Sequence, residues 1–269
     1  MILQTEELSF SYGSADALCG VSLSLDAGQV LCVMGPNGSG KSTLIDTIMG
    51  IHRPRQGRVL LCDRPLTEYR RYEIARRAAY VPQAHTATFP YTVLEVVLMG
   101  RTAYAGAFRV PGAENRAVAM EALERVGIAD LARRPYIGLS GGELRLVLLA
   151  RALSQQAPLI LMDEPTAHLD YRNEMRFLET VCQLCRQDGI AVLIATHSPE
   201  HAFYFESSAV PVRALFLQRG RVAVQGPPTA AITEEVLSAV YGVQAKILES
   251  GGEKTILLQR SLPEKEDVP

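Results

Sequence analysis

The chain has 269 residues, 48% of them hydrophobic and 21% charged, with a formal net charge of −2. That leaves room for one large α/β domain or two small ones with an ample core, and the near-neutral balance lacks the basic footprint that nucleic-acid binding asks for. No run approaches the roughly 18 consecutive apolar residues of a membrane span, and Met1-Ile2-Leu3-Gln4-Thr5-Glu6-Glu7 lacks the basic start and apolar centre of a signal peptide. The cysteines, Cys19, Cys32, Cys62, Cys182 and Cys185, are odd in number. Cys182 and Cys185 make a CxxC, but no second Cys or His pair stands nearby to complete a zinc site. Their spacing puts both on one face of a helix, so the expectation is buried thiols in a reduced, cytosolic protein.

In chain order, residues 2–10 and 21–25 alternate apolar and polar side chains and are predicted as half-buried antiparallel strands. Ser9-Phe10-Ser11-Tyr12-Gly13 puts an aromatic at the edge of the turn between them. Tyr12 is either a stacking platform for a planar base or an ordinary core or surface tyrosine. The apolar run 30–34 reads as a short buried strand, and a helix over 44–49 stops at Gly50. Between them, Gly35-Pro36-Asn37-Gly38-Ser39-Gly40-Lys41-Ser42-Thr43 fits the phosphate-binding pattern Gly, four residues, Gly-Lys-Ser/Thr. Strand, loop, helix is the context that motif needs. Glycines let backbone amides curl around a phosphate, and those amides sit at a helix N-terminus that favours an anion. Lys41 then reaches the β/γ-phosphates and the Ser42 hydroxyl ligates Mg²⁺.

A turn at 53–57, a strand at 58–62, a solvated Arg/Glu-rich helix over 68–77 and a strand over 78–83 that stops at a proline come next. Thr92 and Glu95 form a capping-box pattern opening a helix, and a second helix spans 113–126 with Gly127 as its stop. No strand is evident between Gln83 and Leu139, which makes a helical insert in an α/β chain. Leu139-Ser140-Gly141-Gly142-Glu143 then opens an apolar helix ending near Leu153. Its serine and glycines make a second anion site, or Ser140 is a plain N-cap. Residues 159–165 form a buried strand ending in Asp163 and Glu164. Paired acids there are costly unless they meet a cation or water chemistry, and the carboxyl ends of parallel strands are where ligands bind. Asp163 is placed to hold Mg²⁺ and Glu164 to polarise a water; the alternative is that both cap the following helix. After a helix over 173–188, the strand 190–195 delivers His197 to the same sheet edge. A strand pair at 214–218 and 220–226, a helix at 234–241 and a hairpin around Gly251-Gly252 follow. The Glu-, Lys-, Asp- and Pro-containing tail 263–269 is expected to be disordered.

Together these motifs resemble the ATP-binding subunit of an ATP-binding cassette (ABC) transporter over residues 1–226: the phosphate loop, Gln83 of the Q-loop, the signature 139–143, the Walker B strand with Glu164, the D-loop Ala167-His168-Leu169-Asp170 and the switch His197. The resemblance implies an α/β fold, a RecA-like P-loop NTPase core with a parallel sheet, an antiparallel β-subdomain and a helical insert. The β-subdomain and core would occupy about 1–83 and 147–226, the helical signature subdomain 84–146, and a C-terminal helix-and-hairpin extension 227–262. It implies ATP and Mg²⁺, with Tyr12 on the adenine and with Gly35, Pro36, Asn37, Gly38, Ser39, Gly40, Lys41, Ser42 and Thr43 on the phosphates. Ser42, Asp163 and Gln83 would hold the metal, Glu164 would act as base and His197 would contact the γ-phosphate. Ser140, Gly141, Gly142, Glu143 and Asp170 would complete the ATP site of a second copy in a head-to-tail dimer. The implied partners are transmembrane permease subunits and, indirectly, an extracytoplasmic substrate-binding protein, not nucleic acid. The implied place is peripheral, on the cytoplasmic face of the inner membrane.

Tyr80-Val81-Pro82-Gln83, the stretch Thr92 to Arg101 and the histidine in the D-loop look like importers of iron-siderophores, haem, cobalamin and molybdate/tungstate. An ABC exporter ATPase shares every catalytic residue and is the rival. The short Gln83–Leu139 gap argues against the DNA-break and chromosome group, which inserts long coiled coils there, the single phosphate loop argues against the translation group, and the GTPase motif Asn-Lys-x-Asp is missing. Two departures stand out: Glu143 where glutamine is common, and Leu144-Arg145-Leu146 in place of a polar, basic run. They leave open how the first turn of that helix packs.

Overall fold

The computed structural model describes residues 1–83, 89–105, 112–167 and 169–262. The hairpin β1 (Leu3–Tyr12) and β2 (Ala15–Leu25) opens the chain. Both strands run further than their alternation suggests: the expected turn over 9–13 shrinks to Gly13-Ser14, and β2 starts well before Val21. Bulges explain the lost signal. The register shifts between Thr5 and Leu8 and again towards Phe10, with Glu7 and Gly20 at φ 46° and 68°, so the apolar period of two breaks mid-strand. β3 (Val30–Met34) and α1 (Lys41–Ile48) flank the glycine-rich loop as expected. β4 (Gln56–Leu61) pairs with β1 and β5 (Arg64–Pro65) with β4, closing an antiparallel sheet of order β2-β1-β4-β5.

The charged stretch 68–77 forms less helix than expected: a 3₁₀ turn at Leu66–Glu68 and then only α2 (Arg71–Ala75). Arg70 sits extended at the N-cap and donates its N–H to the Glu73 carboxylate at 2.8 Å, so the helix starts there and not at Glu68. β6 (Ala78–Val81) stops at Pro82. The insert comprises α3 (Val93–Leu98), α4 (Thr102–Ala105) and α5 (Ala113–Val126). Thr92 caps α3 with Glu95 reaching back to its N–H at 2.7 Å, and Gly127 ends α5 at φ 76°. Among the described residues, the β-pairing between Gln83 and Leu139 is one isolated bridge, Thr92 to Pro135. α6 (Gly141–Ser154) runs unbroken from insert to core.

β7 (Leu159–Asp163), α7 (Tyr171–Asp188), β8 (Ala191–Ala195), α8 (Glu200–Ser207), β9 (Val212–Gln218) and β10 (Arg221–Gly226) complete a sheet of order β10-β9-β3-β8-β7-β6. It is parallel except for β10, which returns antiparallel on β9. The fold is thus α/β with a parallel core sheet, a separate antiparallel sheet and a helical insert, as the sequence implied.

Strand alternation sorts the interior. Leu31, Val33, Leu161, Leu193 and Leu215 face α1 and the antiparallel sheet, while Cys32, Ile160, Met162, Ile194 and Phe216 share the other core with Val97, Leu123 and Leu146 of the insert helices. Cys182 and Cys185 are buried free thiols as expected, Cys32 is buried too, and Cys19 and Cys62 are half-buried. The extension is α9 (Pro228–Ala231), α10 (Glu234–Tyr241) and the hairpin β11 (Val243–Ser250) with β12 (Glu253–Ser261). The expected disorder of 263–269 and the D-loop His168 lie outside the described residues. No helix among the described residues is long and apolar enough to cross a membrane.

Candidate nucleotide site

β3 hands the chain directly to the loop, where Gly35, Gly38 and Gly40 adopt φ of 147°, 77° and 106°. A Cβ on Gly35 would collide with the Leu217 carbonyl oxygen, and one on Gly40 with that of Ala17, so this path requires glycine. Lys41, the first residue of α1, is 5% exposed. Its ammonium donates to the carbonyls of Gly35 at 2.8 Å and Pro36 at 3.3 Å and stands 3.9 Å from Glu164 Oε1. Burial pushes its pKa down, with the charges of Glu164 and Asp163 opposing.

The two acids sit where the apolar strand β7 ends. Glu164 is held at φ 46°, with its N–H on the Ala195 carbonyl at 2.9 Å. Side chains other than glycine rarely take that backbone, and such strain gathers at functional sites. Here it turns the carboxylate into a ring of partners: Gln83 Nε2 donates to Oε2 at 2.6 Å, His197 Nε2 lies against Oε1, and Lys41 stands behind. Lys41, Gln83, Glu164 and His197 are therefore brought together as expected. Asp163 is 3% exposed. Burial pushes its pKa up, a hydrogen bond with the Ser42 hydroxyl counters this, and Oδ1 has no hydrogen-bond partner among the described residues.

The signature residues form a separate network. Ser140 caps α6: its hydroxyl accepts the Glu143 N–H at 3.3 Å while its own N–H donates to Glu143 Oε2 at 2.8 Å. Ser140 is thus the N-cap of α6, and glutamate fits the box as well as glutamine would. Arg134 donates to Glu143 Oε1 at 3.1 Å. Among the described residues no hydrogen bond or ion pair joins residues 140–143 to Lys41, Glu164 or His197. Asp170 caps α7, accepting the Asn173 N–H at 2.8 Å. Tyr12 is exposed at the end of β1, edge-on to Phe10 at 4.9 Å and bonded through its hydroxyl to His52 Nε2 at 2.9 Å.

Two supports escaped sequence reasoning. Arg145, 8% exposed, donates to the Pro82 carbonyl at 2.8 Å and to the Gln83 carbonyl, so the odd Leu144-Arg145-Leu146 places an arginine on the Q-loop and buries Leu146. His201, 3% exposed, joins Thr196 Oγ1 at 2.9 Å and Glu174 Oε1 at 2.7 Å, and the same Thr196 hydroxyl accepts the Ser198 N–H at 3.1 Å. That braces the backbone on both sides of His197. A signal for Arg145 existed in the motif's departure; a histidine inside a helix offered none.

A phosphate loop with its buried lysine beside a strand-end carboxylate, on a parallel sheet, defines a P-loop nucleotide-binding ATPase. The ABC transporter family matches residues 18–167, more than half of the chain. The chain is 39% identical over 251 residues to the hemin import ATP-binding protein HmuV of Thermobifida fusca, covering 92% of this chain and 84% of that protein. Among solved structures, a chain of a metal-chelate type ABC transporter in an inward-facing conformation superposes with a TM-score of 0.82 at 31% identity, over 96% of this chain and 97% of that one. The dimeric cassette MJ0796, from a bacterial ABC transporter, does so with a TM-score of 0.73 at 28% identity, over 84% and 99%. The chain belongs to the ABC transporter family and is one of its ATPases.

Proposed function

We propose that this chain is the ATP-hydrolysing subunit of an importer of a metal chelate or related metal compound (an iron-siderophore, haem, cobalamin or molybdate/tungstate), working as a pair of copies on a membrane permease. The observation that carries the catalytic half is the ring of Gln83, His197 and Lys41 around the strained Glu164. The likeness to a hemin import protein and to a metal-chelate type transporter supports the cargo class.

Backbone amides of residues 37–43, on the loop that Gly35 and Pro36 shape, hold the phosphates at the start of α1, Tyr12 stacks on the adenine, and Lys41, kept at the loop by the Gly35 carbonyl, neutralises the γ-phosphate. Glu164 takes a proton from the water whose oxygen attacks the γ-phosphorus. The bond to the β,γ-bridging oxygen breaks, releasing ADP and phosphate, while His197 orients that water. We assign Mg²⁺ to Ser42, Asp163 and Gln83. Asp163 Oδ1, buried and without a hydrogen-bond partner among the described residues, beside the Ser42 hydroxyl, suits a hard, oxygen-seeking cation, which these residues would hold. When bound, the ion supplies charge neutralisation on the phosphates.

Ser140, Gly141, Gly142 and Glu143, with Asp170, serve the ATP of the other copy, so that each nucleotide lies between the loop of one chain and the signature of its partner. The existence of a dimeric cassette of the same fold supports this arrangement. Residues 1–83 and 147–226 act as nucleotide core, 84–146 as signature subdomain and 227–262 as extension. Gln83 passes the state of the γ-phosphate to the insert and so to the permease, on the cytoplasmic membrane face, opposite an extracytoplasmic substrate-binding protein.

Glu164→Gln should lower turnover by at least about 100-fold, leave ATP affinity intact and elute as a dimer in ATP; normal steady-state hydrolysis would refute the base. Uptake of haem, ferric siderophore, cobalamin and molybdate by a deletion strain, restored by the wild type and not by this variant, tests the cargo class. Restored efflux with no restored uptake would sink the importer assignment.

A further inference from the structure

We propose that the C-terminal extension is a positioning element of the nucleotide site, acting through Tyr241, whose hydroxyl fixes the Gly35 backbone and through it Lys41. This rests on Gly35 to Thr43 being the ATP loop. Tyr241 is the last residue of α10, and its hydroxyl oxygen accepts the Gly35 N–H at 3.0 Å across 206 residues of chain. The carbonyl of the same glycine accepts Lys41 Nζ at 2.8 Å. One residue therefore carries the extension on its N–H and the phosphate-binding lysine on its C=O. Its third side is closed by the Leu217 carbonyl. At φ 147° the glycine is in a region open to few residues, and a free peptide there has many alternatives to lose; an outside acceptor selects one.

The tyrosine is itself held firmly. Its ring stands edge-on to Phe216, centroids 6.2 Å apart, and Phe216 pairs in register with Met34, the residue before Gly35. Burial pushes the phenol up to about 12, so the hydroxyl stays neutral at any working pH. The rest of the extension closes on this point: Gly242 turns the chain at φ 65°, the Leu262 N–H returns to the Gly242 carbonyl at 2.7 Å, and Glu234 accepts the Ile247 N–H at 3.0 Å. Both ends of the hairpin thus meet at the residue after Tyr241. A displacement of the hairpin is delivered to the phosphate loop.

Tyr241→Phe keeps the ring on Phe216 and deletes the acceptor. In the full-length chain, the Kd and KM for ATP should rise about 3- to 10-fold, the effect of losing one net hydrogen bond, with kcat changed less than about twofold. A hydroxyl that only stabilises the fold would lower the melting temperature and leave KM alone, and a tyrosine that only packs would change neither; either result would overturn the role. Lys41→Ala run alongside separates the two failures. If it binds ATP like the wild type, the loop assignment itself falls; if it binds weakly while Tyr241→Phe is unchanged, only the role of Tyr241 falls. Should Tyr241→Phe fold poorly, 3-fluorotyrosine at position 241 replaces it: its ¹⁹F resonance should shift on adding ATP to the wild-type background and not to Lys41→Ala. An unshifted resonance overturns the proposal.

Discussion

Arg145 is placed to act on the reaction without touching it. Its guanidinium is nearly buried and spends its hydrogen bonds on two backbone carbonyls, those of Pro82 and Gln83. Burial pushes its pKa down, yet a guanidinium stays charged in proteins, so these are charge-assisted bonds to the segment whose Gln83 side chain holds Glu164. Arg145→Leu should leave both carbonyls short of a donor and let Gln83 drift. We expect kcat to fall about 10- to 100-fold, the scale of a small misplacement at a reacting group, with KM for ATP nearly unmoved and partial rescue by Arg145→Lys. An unchanged kcat would show that the Q-loop holds its place unaided. None of this was legible in the sequence, which marks Arg145 only as an unusual residue after the signature; its partners lie 62 and 63 positions away.

At the scale of elements, legibility followed how local the cause is. Helices α5 and α10 end at Gly127 and Gly242 because a left-handed residue closes them, and α3 begins where Thr92 and Glu95 reciprocate. Those signals lie within four residues. The full extent of β1 and β2 escapes their alternation because bulges near Leu8 and Phe10 depend on pairing between distant residues, and the start of α2 escapes charge spacing, which says nothing about the Arg70 cap. The first turn of α6 offers a test of a local cause. Hydrogen bonds from the Ser140 N–H and hydroxyl, and the nearby Arg134 guanidinium, hold the Glu143 carboxyl below its usual value. A carboxylate depressed in the folded state contributes stability above its unfolded pKa, roughly 4.3, and loses it as pH falls through the folded value. Glu143→Gln keeps an acceptor for the cap but loses the charge. It should melt about 1–3 °C lower at neutral pH, and the gap should close in acid. A gap that persists unchanged in acid would mean that shape, not charge, holds the turn.

For the whole molecule, the decisive feature is that one chain carries two glycine-containing helix starts, at Lys41 and at residues 140–143, whose hydrogen bonds form separate networks. The motifs revealed both loops, but no pattern within one chain says whose nucleotide the second one serves. In a head-to-tail pair each ATP site takes Lys41 from one copy and residues 140–142 from the other, and this predicts complementation. Gly141 is exposed with no atom within 4 Å of an added Cβ, so Gly141→Asp should fold. An acid in the first turn favours α6 while repelling a phosphate. Homodimers of Lys41→Ala and of Gly141→Asp should each be close to inactive, since both of their sites are broken. In a mixed dimer, both lesions fall in one site and the other is intact. After subunit exchange of an equal mixture, about half of the dimers are mixed and carry one working site of two, so about a quarter of wild-type hydrolysis should return. Activity plotted against mixing ratio should peak at equal amounts. If each site lay within a single chain, every mixture would stay at the sum of its inactive parts, and the head-to-tail arrangement would have to be abandoned.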